Sequence, residues 1–134
     1  PGGFGVAKNL SDFASKGADA AVEPEFKRVA TEFYAQKKPI AAICIAPAVL
    51  AVALKGEGIT LTIGDDAGCA AAIQATGNLH RNSPTAEAVI DSAHRVASCS
   101  AYMRDDALAP IAEGIEQCIA AVVDMARQAT QNAA

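Results

Sequence analysis

The feature that most constrains this fold is a direct change from a strand pattern to a helix pattern around Cys44. Residues 40–43 form a short, wholly apolar run, which is typical of a strand covered on both faces. Residues 46–54 follow with a helical pattern, because Pro47 stands in the first turn, where no N–H is needed, and Lys55-Gly56 ends the segment. This junction predicts a parallel, buried strand in an α/β fold.

The same alternation of helix and strand patterns continues along the chain. Asp65 or Asp66 is expected to cap one of the helices, and a polar turn that includes His94 joins the last two strands into a hairpin. No internal repeat or linker divides the chain, which predicts a single domain over 1–134 with helices flanking a mainly parallel sheet. Helices are predicted at 23–36, 46–54, 67–76 and 111–127, and strands at 40–43, 59–63, 87–91 and 95–99.

Composition indicates a packed domain and argues against several classes of partner. The chain is 51% hydrophobic and 19% charged, so it can bury a core. Its net charge is −4, and no basic run is longer than Lys37-Lys38, which argues against a nucleic-acid partner. No apolar segment reaches the roughly 20 residues of a membrane span, so we expect no membrane association.

Cysteine spacing and the glycine pattern give the remaining general expectations. The chain has four cysteines, Cys44, Cys69, Cys99 and Cys118. They form neither a C-x-x-C motif nor a dense disulfide framework, and no basic leader precedes an apolar stretch, which together predict reduced thiols and a cytoplasmic location. Gly3-Phe4-Gly5 is a poor match to a nucleotide loop, because Lys8 replaces the third glycine. We therefore expect no cofactor and no metal.

Cys44 is the residue best placed for chemistry. A nucleophile on a tight turn between strand and helix is lifted out of the sheet, and the helix N-terminus behind it favours the thiolate. The N–H of Ile45 would point to the same place and supply half of an oxyanion hole. The alternative is that Cys44 is a small buried hydrophobe. The other cysteines are predicted to lie in the core, and the two histidines, His80 and His94, in loops.

Five short motifs together resemble one protein family. They are Pro1-Gly2-Gly3-Phe4-Gly5, Asn9-Leu10-Ser11, Ile43-Cys44-Ile45-Ala46-Pro47-Ala48, Leu61-Thr62-Ile63-Gly64 and Ala101-Tyr102-Met103. In this order they resemble the ElbB branch, described as isoprenoid biosynthesis or enhancing lycopene biosynthesis proteins, of the ThiJ/PfpI, class I glutamine amidotransferase-like superfamily. The resemblance covers nearly the whole chain.

The resemblance implies a fold and a site. The fold is a flavodoxin-like three-layer α/β sandwich, with Cys44 at a nucleophile elbow and the N–H groups of Gly3 and Ile45 as oxyanion-hole donors. In the family the Pro-Gly-Gly turn follows the first strands and helices, so the chain is expected to be the C-terminal part of a longer domain that lacks its N-terminal strands. The acidic partner of the elbow cysteine would then belong to the preceding segment.

The resemblance also implies a reaction. Members of the branch are described as glyoxalase-like and convert small dicarbonyls, as from glyoxal to glycolate, without a cofactor, so a small carbonyl substrate and a homodimer are expected. Amidotransferase and peptidase branches commonly have His after the elbow cysteine; Ile45 stands there instead, which argues against both activities. No His follows strand 59–63, which leaves His80 as a substitute acid or base. The alternative is a non-catalytic stress or metabolic accessory protein whose Cys44 responds to oxidants.

Overall fold

The computed structural model describes residues 2–132 of the chain. Between residues 24 and 75 helices and strands alternate as the sequence predicts. The α-helices are α1 (Gly3–Asn9), α2 (Phe13–Lys16), α3 (Pro24–Ala35), α4 (Ala46–Ala53), α5 (Ala67–Ala75) and α6 (Leu108–Asn132). The strands are β1 (Ile40–Ile43), β2 (Thr60–Leu61), β3 (Leu79–His80), β4 (Val89–Asp91) and β5 (Val96–Cys99), and short 3-10 turns lie at Gly17–Asp19 and Ala101–Met103.

The strands form two small sheets. In the first, with the order β1-β5-β4, β1 runs parallel to β5 and places Ile43 opposite Cys99, while β4 and β5 form the predicted antiparallel hairpin. In the second, β2 and β3 are parallel. Two hydrogen bonds from the segment of β2 connect the sheets: the Thr60 N–H donates to the Asp91 carboxylate at 2.8 Å, and the Thr62 N–H donates to Ser98 Oγ at 2.9 Å.

Helices cover both faces of the first sheet. Successive residues of a strand point to opposite faces, and β1 follows this rule: Ala42 belongs to the apolar cluster that contains α4, whereas Ala41 and Ile43 contact the cluster under α6. Every residue of helix α4 from Pro47 to Ala53 is buried. This arrangement is the three-layer α/β sandwich that the sequence predicts.

Asn78 connects three elements in the core. Its side chain is 2% exposed; its Oδ1 accepts from the Ile59 N–H at 3.0 Å, and its Nδ2 donates to the carbonyls of Ala51 and Leu54, each at 3.0 Å. It therefore satisfies backbone groups at the end of α4 and the start of the β2 segment, which would otherwise be buried without partners.

Asp91, at the end of β4, has a similar role beside the start of β2. Burial of Asp91 raises its pKa, but hydrogen bonds from the Thr60 N–H and from the backbone and ring of His94 outweigh that effect and hold the pKa below its ordinary value. The carboxylate thus connects the β4–β5 turn to β2 by hydrogen bonds. His94 lies in this turn, as the sequence predicts.

Three local expectations differ from the structure. The Gly-rich start, predicted as a turn, begins helix α1 at Gly3, because Val6 and Ala7 are buried against the core; Pro1 lies outside the described residues. The strand predicted at 59–63 shortens to Thr60–Leu61, since the N–H groups on either side of it donate to side chains. His80, predicted in a loop, lies in β3.

Smaller differences concern caps and helix faces. Asp66, rather than Asp65, caps α5, and its Oδ1 accepts from the Cys69 N–H at 2.7 Å. Helix α6 begins at Leu108, whereas the sequence predicts its start at residue 111. The spacing of apolar residues predicts that Ile119 lies on the buried face of this helix, but its side chain is 45% exposed. Between residues 2 and 132 no helix combines the length and apolar character that a bilayer span requires.

Candidate active site

Cys44 occupies a sharp turn between β1 and α4. Its N–H donates to the carbonyl of Cys99 at 3.0 Å, which extends the β1–β5 ladder by one step, and its φ is +67°. Ile45, the next residue, is already the N-cap of α4. A left-handed conformation is uncommon for a residue other than glycine and tends to occur where surrounding structure enforces it, as in active sites. The turn therefore has the backbone geometry of the predicted elbow.

Gly3 approaches this turn more closely than any other amino acid could. A Cβ added to Gly3 would lie 2.6 Å from the carbonyl oxygen of Ile43, 3.2 Å from Cys44 Cβ and 3.2 Å from the Ile45 nitrogen. Real Cβ atoms do not come within 3.0 Å of backbone oxygens. The absence of a side chain at Gly3 is thus what allows the start of α1 to lie against the elbow.

The start of α1 also carries N–H groups without acceptors inside the helix. The first hydrogen bond of α1 runs from the Val6 N–H to the carbonyl of Gly2 at 3.0 Å, so the N–H groups of Gly3, Phe4 and Gly5 precede the ladder. The structure therefore brings together Cys44, Gly3 and Ile45, the three residues that the resemblance associates with a nucleophile and its oxyanion hole.

His80 has a backbone partner outside that group of three residues. Its Nε2 accepts from the N–H of Ile63 at 3.3 Å, which joins the ends of β2 and β3, and its partial burial lowers its pKa. The hydrogen bond that the structure gives His80 thus fixes its ring to β2. Its expected role as an acid or base for Cys44 stays a prediction.

A polar group beside the elbow was not predicted. Ser100 follows β5 directly and is fully buried, and its Oγ finds no hydrogen-bond partner among residues 2–132. The next residue, Ala101, has a φ of +43°, which is a second left-handed position at the end of a strand. Ser100 directly precedes the Ala101-Tyr102-Met103 motif. Its place beside the elbow follows from the position of the strand end, which the sequence pattern does not give.

Arg104 connects the surrounding loops by hydrogen bonds. Its Nε donates to Asp65 Oδ1 at 2.9 Å and its Nη1 to the carbonyl of Ser83 at 2.8 Å, while a Cβ on Gly64 would lie 3.4 Å from its Cζ and 3.1 Å from Ser100 Cβ. Loops from several strands therefore meet beside the elbow, at the carboxyl ends of parallel strands, where α/β proteins bind their ligands.

An apolar groove runs along the free edge of β1. In the described part of the chain β1 pairs with β5 alone, so its other edge is open. The groove has a volume of about 550 Å³, and its lining has no charged side chain. Apart from Gly2 and Pro39, it is lined by residues of α1, α3, β1 and α4, including Val6, Phe26, Phe33 and Leu50.

The three remaining cysteines differ in their burial. Cys99 and Cys118 are fully buried, as predicted, whereas Cys69 is half-buried on α5, where burial and the neighbouring Asp66 raise its pKa to about 11. Over residues 2–132 no three His, Cys, Asp or Glu side chains converge as metal ligands.

The chain is similar over most of its length to several known proteins. It is 38% identical over 134 residues to the mitochondrial ES1 protein homolog of Rattus norvegicus, with 93% of this chain and 50% of the relative covered. It is 39% identical to the mitochondrial glutamine amidotransferase-like class 1 domain-containing protein 3 of Homo sapiens, with 93% and 49% covered. The crystal structure of an isoprenoid biosynthesis protein with an amidotransferase-like domain from Ehrlichia chaffeensis superposes with a TM-score of 0.79 at 42% identity, covering 92% of this chain and 56% of that one.

The chain belongs to the ElbB/ES1 group of the class I glutamine amidotransferase-like superfamily. No protein-family model matches it. The resemblance drawn from the five motifs is thereby confirmed, as is the amidotransferase-like α/β fold. The chain spans about half the length of the curated ElbB/ES1 relatives that it matches.

One expectation is overturned by these relatives. The cytoplasmic location predicted from composition is wrong, because the rat and human members of the ElbB/ES1 group are mitochondrial by name. Widely spaced cysteines are expected in any reducing compartment. The cysteine pattern therefore could not distinguish the cytoplasm from another such compartment.

Proposed function

We propose that the protein converts small dicarbonyl compounds to hydroxy acids, as from glyoxal to glycolate, with Cys44 as its nucleophile and without a cofactor. The observation that carries this proposal is the close approach of Gly3 to the elbow. A Cβ added to Gly3 would lie 3.2 Å from Cys44 Cβ and 3.2 Å from the Ile45 nitrogen. That close approach supports a site in which the N–H groups of Gly3 and Ile45 face one thiol, because such an arrangement stabilises an oxyanion formed by nucleophilic addition.

The proposed reaction begins with addition of the Cys44 thiolate to an aldehyde carbon. The carbonyl oxygen becomes an oxyanion that accepts hydrogen bonds from the N–H groups of Gly3 and Ile45. A proton then leaves the carbon bonded to sulfur and a proton is delivered to the neighbouring carbon. The second carbonyl oxygen takes up a proton and becomes a hydroxyl, while the first oxyanion becomes the carbonyl of a thioester. Water hydrolyses the thioester, releases the hydroxy acid and restores the thiol.

The proton transfer between carbons needs an acid or base. His80 is a weak candidate, because its Nε2 is occupied by the Ile63 N–H. We propose that the group comes from a segment preceding residue 1 in a longer protein, whose strands would cover the groove along the free edge of β1. The open edge, the apolar lining of the groove and the greater length of the relatives support this view.

Glutamine hydrolysis is disfavoured for this chain by its own residues. Ile45, which cannot act as a base, stands where amidotransferases of the superfamily commonly have a histidine after the nucleophile. In this proposal, the chain shares a fold with proteins named amidotransferase-like but does not share the amidotransferase reaction.

The test is turnover of glyoxal by the intact protein, with glycolate measured as product. We expect Cys44→Ala to abolish turnover, whereas the matched variant Cys69→Ala, which alters a cysteine on α5 outside the elbow, leaves it unchanged. Equal turnover by wild type and Cys44→Ala would overturn the assignment. Measurement of the sedimentation coefficient in the same preparation tests the proposed homodimer.

A further inference from the structure

Between residues 2 and 129, the three most exposed large apolar side chains lie at one end of the fold. They are Phe4, Leu108 and Tyr102, which are 72%, 71% and 65% exposed. Phe4 is in the first turn of α1, Tyr102 is in the 3-10 turn that follows β5, and Leu108 is the first residue of α6. We call these three residues the apolar rim.

Phe4 directly follows Gly3, which lies against the elbow. A Cβ on Gly3 would be 3.2 Å from Cys44 Cβ. Since consecutive Cα atoms are about 3.8 Å apart, the Cα of Phe4 lies within about 9 Å of Cys44 Cβ. Side chains in a helix lean toward its N-terminus, which for α1 is the end at the elbow. The Lys8 ammonium lies 5.8 Å from the centroid of the Phe4 ring, on the surface of α1. Phe4 therefore borders the elbow from the side of α1.

Tyr102 borders the elbow from the side of β5. The carbonyl of Cys99 accepts from the Cys44 N–H at 3.0 Å, and the turn begins at the next residue, where the carbonyl of Ser100 accepts from the Met103 N–H at 3.0 Å. Met103 packs against the buried core, whereas Tyr102 stays exposed. The turn thus presents one apolar side chain to the core and one to solvent beside Cys44.

Leu108 lies at the start of the helix that packs against this turn. Ala101 of the turn and Ile111 of α6 belong to the same buried cluster. Single exposed apolar side chains are ordinary on a protein surface, but a group of them at one place indicates a surface that a ligand or a partner covers. Here the group is continuous with the site of Cys44, which favours a ligand of that site.

We propose that the apolar rim binds the apolar substituent R of a 2-oxoaldehyde, R–CO–CHO, and that such compounds are the preferred substrates. This inference rests on the proposed function and names the substrate class of that same site. Glyoxal is the smallest member of the class, with hydrogen as R, and leaves the rim in water. An apolar R covers the rim, and removal of apolar surface from water favours binding.

The reaction balances for this class as it does for glyoxal. The Cys44 sulfur adds to the aldehyde carbon, a proton is transferred from that carbon to the carbon that bears R, and the keto oxygen takes up a proton. Water then cleaves the C–S bond of the thioester. The aldehyde carbon is oxidised to the carboxylic acid and the keto carbon is reduced to the alcohol, so one water is consumed and no external oxidant or reductant takes part.

The first test measures the affinity of the rim for an apolar group without turnover. The intact protein is alkylated by iodoacetamide and, separately, by N-phenyl iodoacetamide, and peptide mass spectrometry follows Cys44 and Cys69. The ratio of the two rates at one cysteine cancels its intrinsic reactivity. A closed apolar pocket discriminates by about tenfold or more per methylene group. Because the rim is open on one side, we expect the ratio at Cys44 to exceed that at Cys69 by about fivefold.

Variants of exposed residues connect that preference to the rim. We expect the ratio at Cys44 to fall to that of Cys69 in Phe4→Ala/Tyr102→Ala, whose truncated side chains contribute little to the core because they are exposed. Leu79→Ala is the matched control, since Leu79 is 56% exposed but pairs with Thr60 at the start of β2; it should keep the wild-type ratio.

The second test compares kcat/KM for 2-oxohexanal and for glyoxal. Wild type should favour 2-oxohexanal, and Phe4→Ala/Tyr102→Ala should lose this preference through a KM that rises more for 2-oxohexanal than for glyoxal. Wild type that favours glyoxal, or a double variant that keeps the preference for 2-oxohexanal, would overturn the proposal.

Two further outcomes separate the explanations of the rim. A double variant with an unchanged alkylation ratio but a lower sedimentation coefficient would overturn the proposal, because the rim would then be a contact between protein copies. Turnover of glyoxal without any preference for the N-phenyl reagent at Cys44 refutes the rim alone. Preference for that reagent without turnover of either aldehyde refutes the dicarbonyl reaction, and with it the substrate class.

Discussion

Replacement of Gly3 by Ala tests the geometry of the site with a single methyl group. The added Cβ would lie 2.6 Å from the carbonyl oxygen of Ile43 and must move to at least 3.0 Å, so the start of α1 has to shift by several tenths of an ångström or the turn at Cys44 has to open. Either movement displaces the Gly3 N–H from the position that it shares with the Ile45 N–H. We therefore expect the oxyanion hole to lose one of its two donors.

The size of the effect follows from the loss of that donor. Removal of one oxyanion-hole donor lowers kcat by about 10²–10³-fold, and overpacking of this kind destabilises a fold by about 1–3 kcal/mol. The assay is kcat for glyoxal, with the free energy of unfolding measured by urea denaturation of the same preparation. A loss of kcat at temperatures where the variant remains folded separates the effect on the site from the effect on the fold.

Gly2→Ala is the matched control for this experiment. A Cβ on Gly2 has no neighbour within 4 Å, although the residue lies beside Gly3 at the start of the same helix. We expect its kcat to stay within about twofold of wild type, which corresponds to less than about 0.5 kcal/mol in the barrier. A Gly3→Ala protein with wild-type kcat and stability would refute the argument that the start of α1 forms part of the site.

Three further predictions concern the fold. Asn78→Ala should lower the free energy of unfolding by about 3 kcal/mol, because it leaves buried backbone groups without partners, and a loss below about 1 kcal/mol in urea denaturation would contradict this. Gly114→Ala should destabilise by about 1–3 kcal/mol, since its Cβ would overlap the Thr85 carbonyl oxygen and force α6 away. Gly68→Ala, whose nearest neighbour would be at 3.5 Å, should have no such effect. The lowered pKa of Asp91 predicts that its contribution to stability is complete above the unfolded-state value near 4 and is lost as the pH falls through the folded-state pKa. Urea midpoints measured from neutral to acidic pH should therefore fall less steeply in Asp91→Asn, and an identical slope would exclude this role.

The sequence predicts the elbow well because the signals are local. An apolar run, one cysteine and a proline in the first helical turn determine the change from β1 to α4 within a few residues. The hairpin of β4 and β5 is predictable for the same reason, since a polar turn separates two short runs. Such patterns depend on the residues next to them rather than on distant packing.

Helix α1 could not be predicted because its stability comes from elsewhere in the fold. Gly3 and Gly5 have low intrinsic helix propensity, and the segment is helical since Val6 and Ala7 are buried against the core. His80 is similar: Gly77 predicts a loop, but the pairing of β3 with β2 decides its place. Tertiary contacts outweigh local preference in both segments.

The grouping of three cysteines in one part of the fold is also not predictable from the sequence. Cys99 and Cys118 are far along the chain from Cys44, and neither stands out in its own segment. They meet only because β1 lies parallel to β5 in one register and α6 packs on the same face of that sheet. Neither the register nor the rotation of α6 follows from the spacing of the cysteines.

The most direct measurement of the central claim is the rate of iodoacetamide alkylation at each of the four cysteines, followed by peptide mass spectrometry together with glyoxal turnover. We predict that Cys44 is alkylated well before Cys69, Cys99 and Cys118 and that turnover is lost in step with its alkylation. Turnover that survives complete alkylation of Cys44, or a Cys44 that reacts no faster than the buried cysteines, would contradict the assignment of Cys44 as the nucleophile.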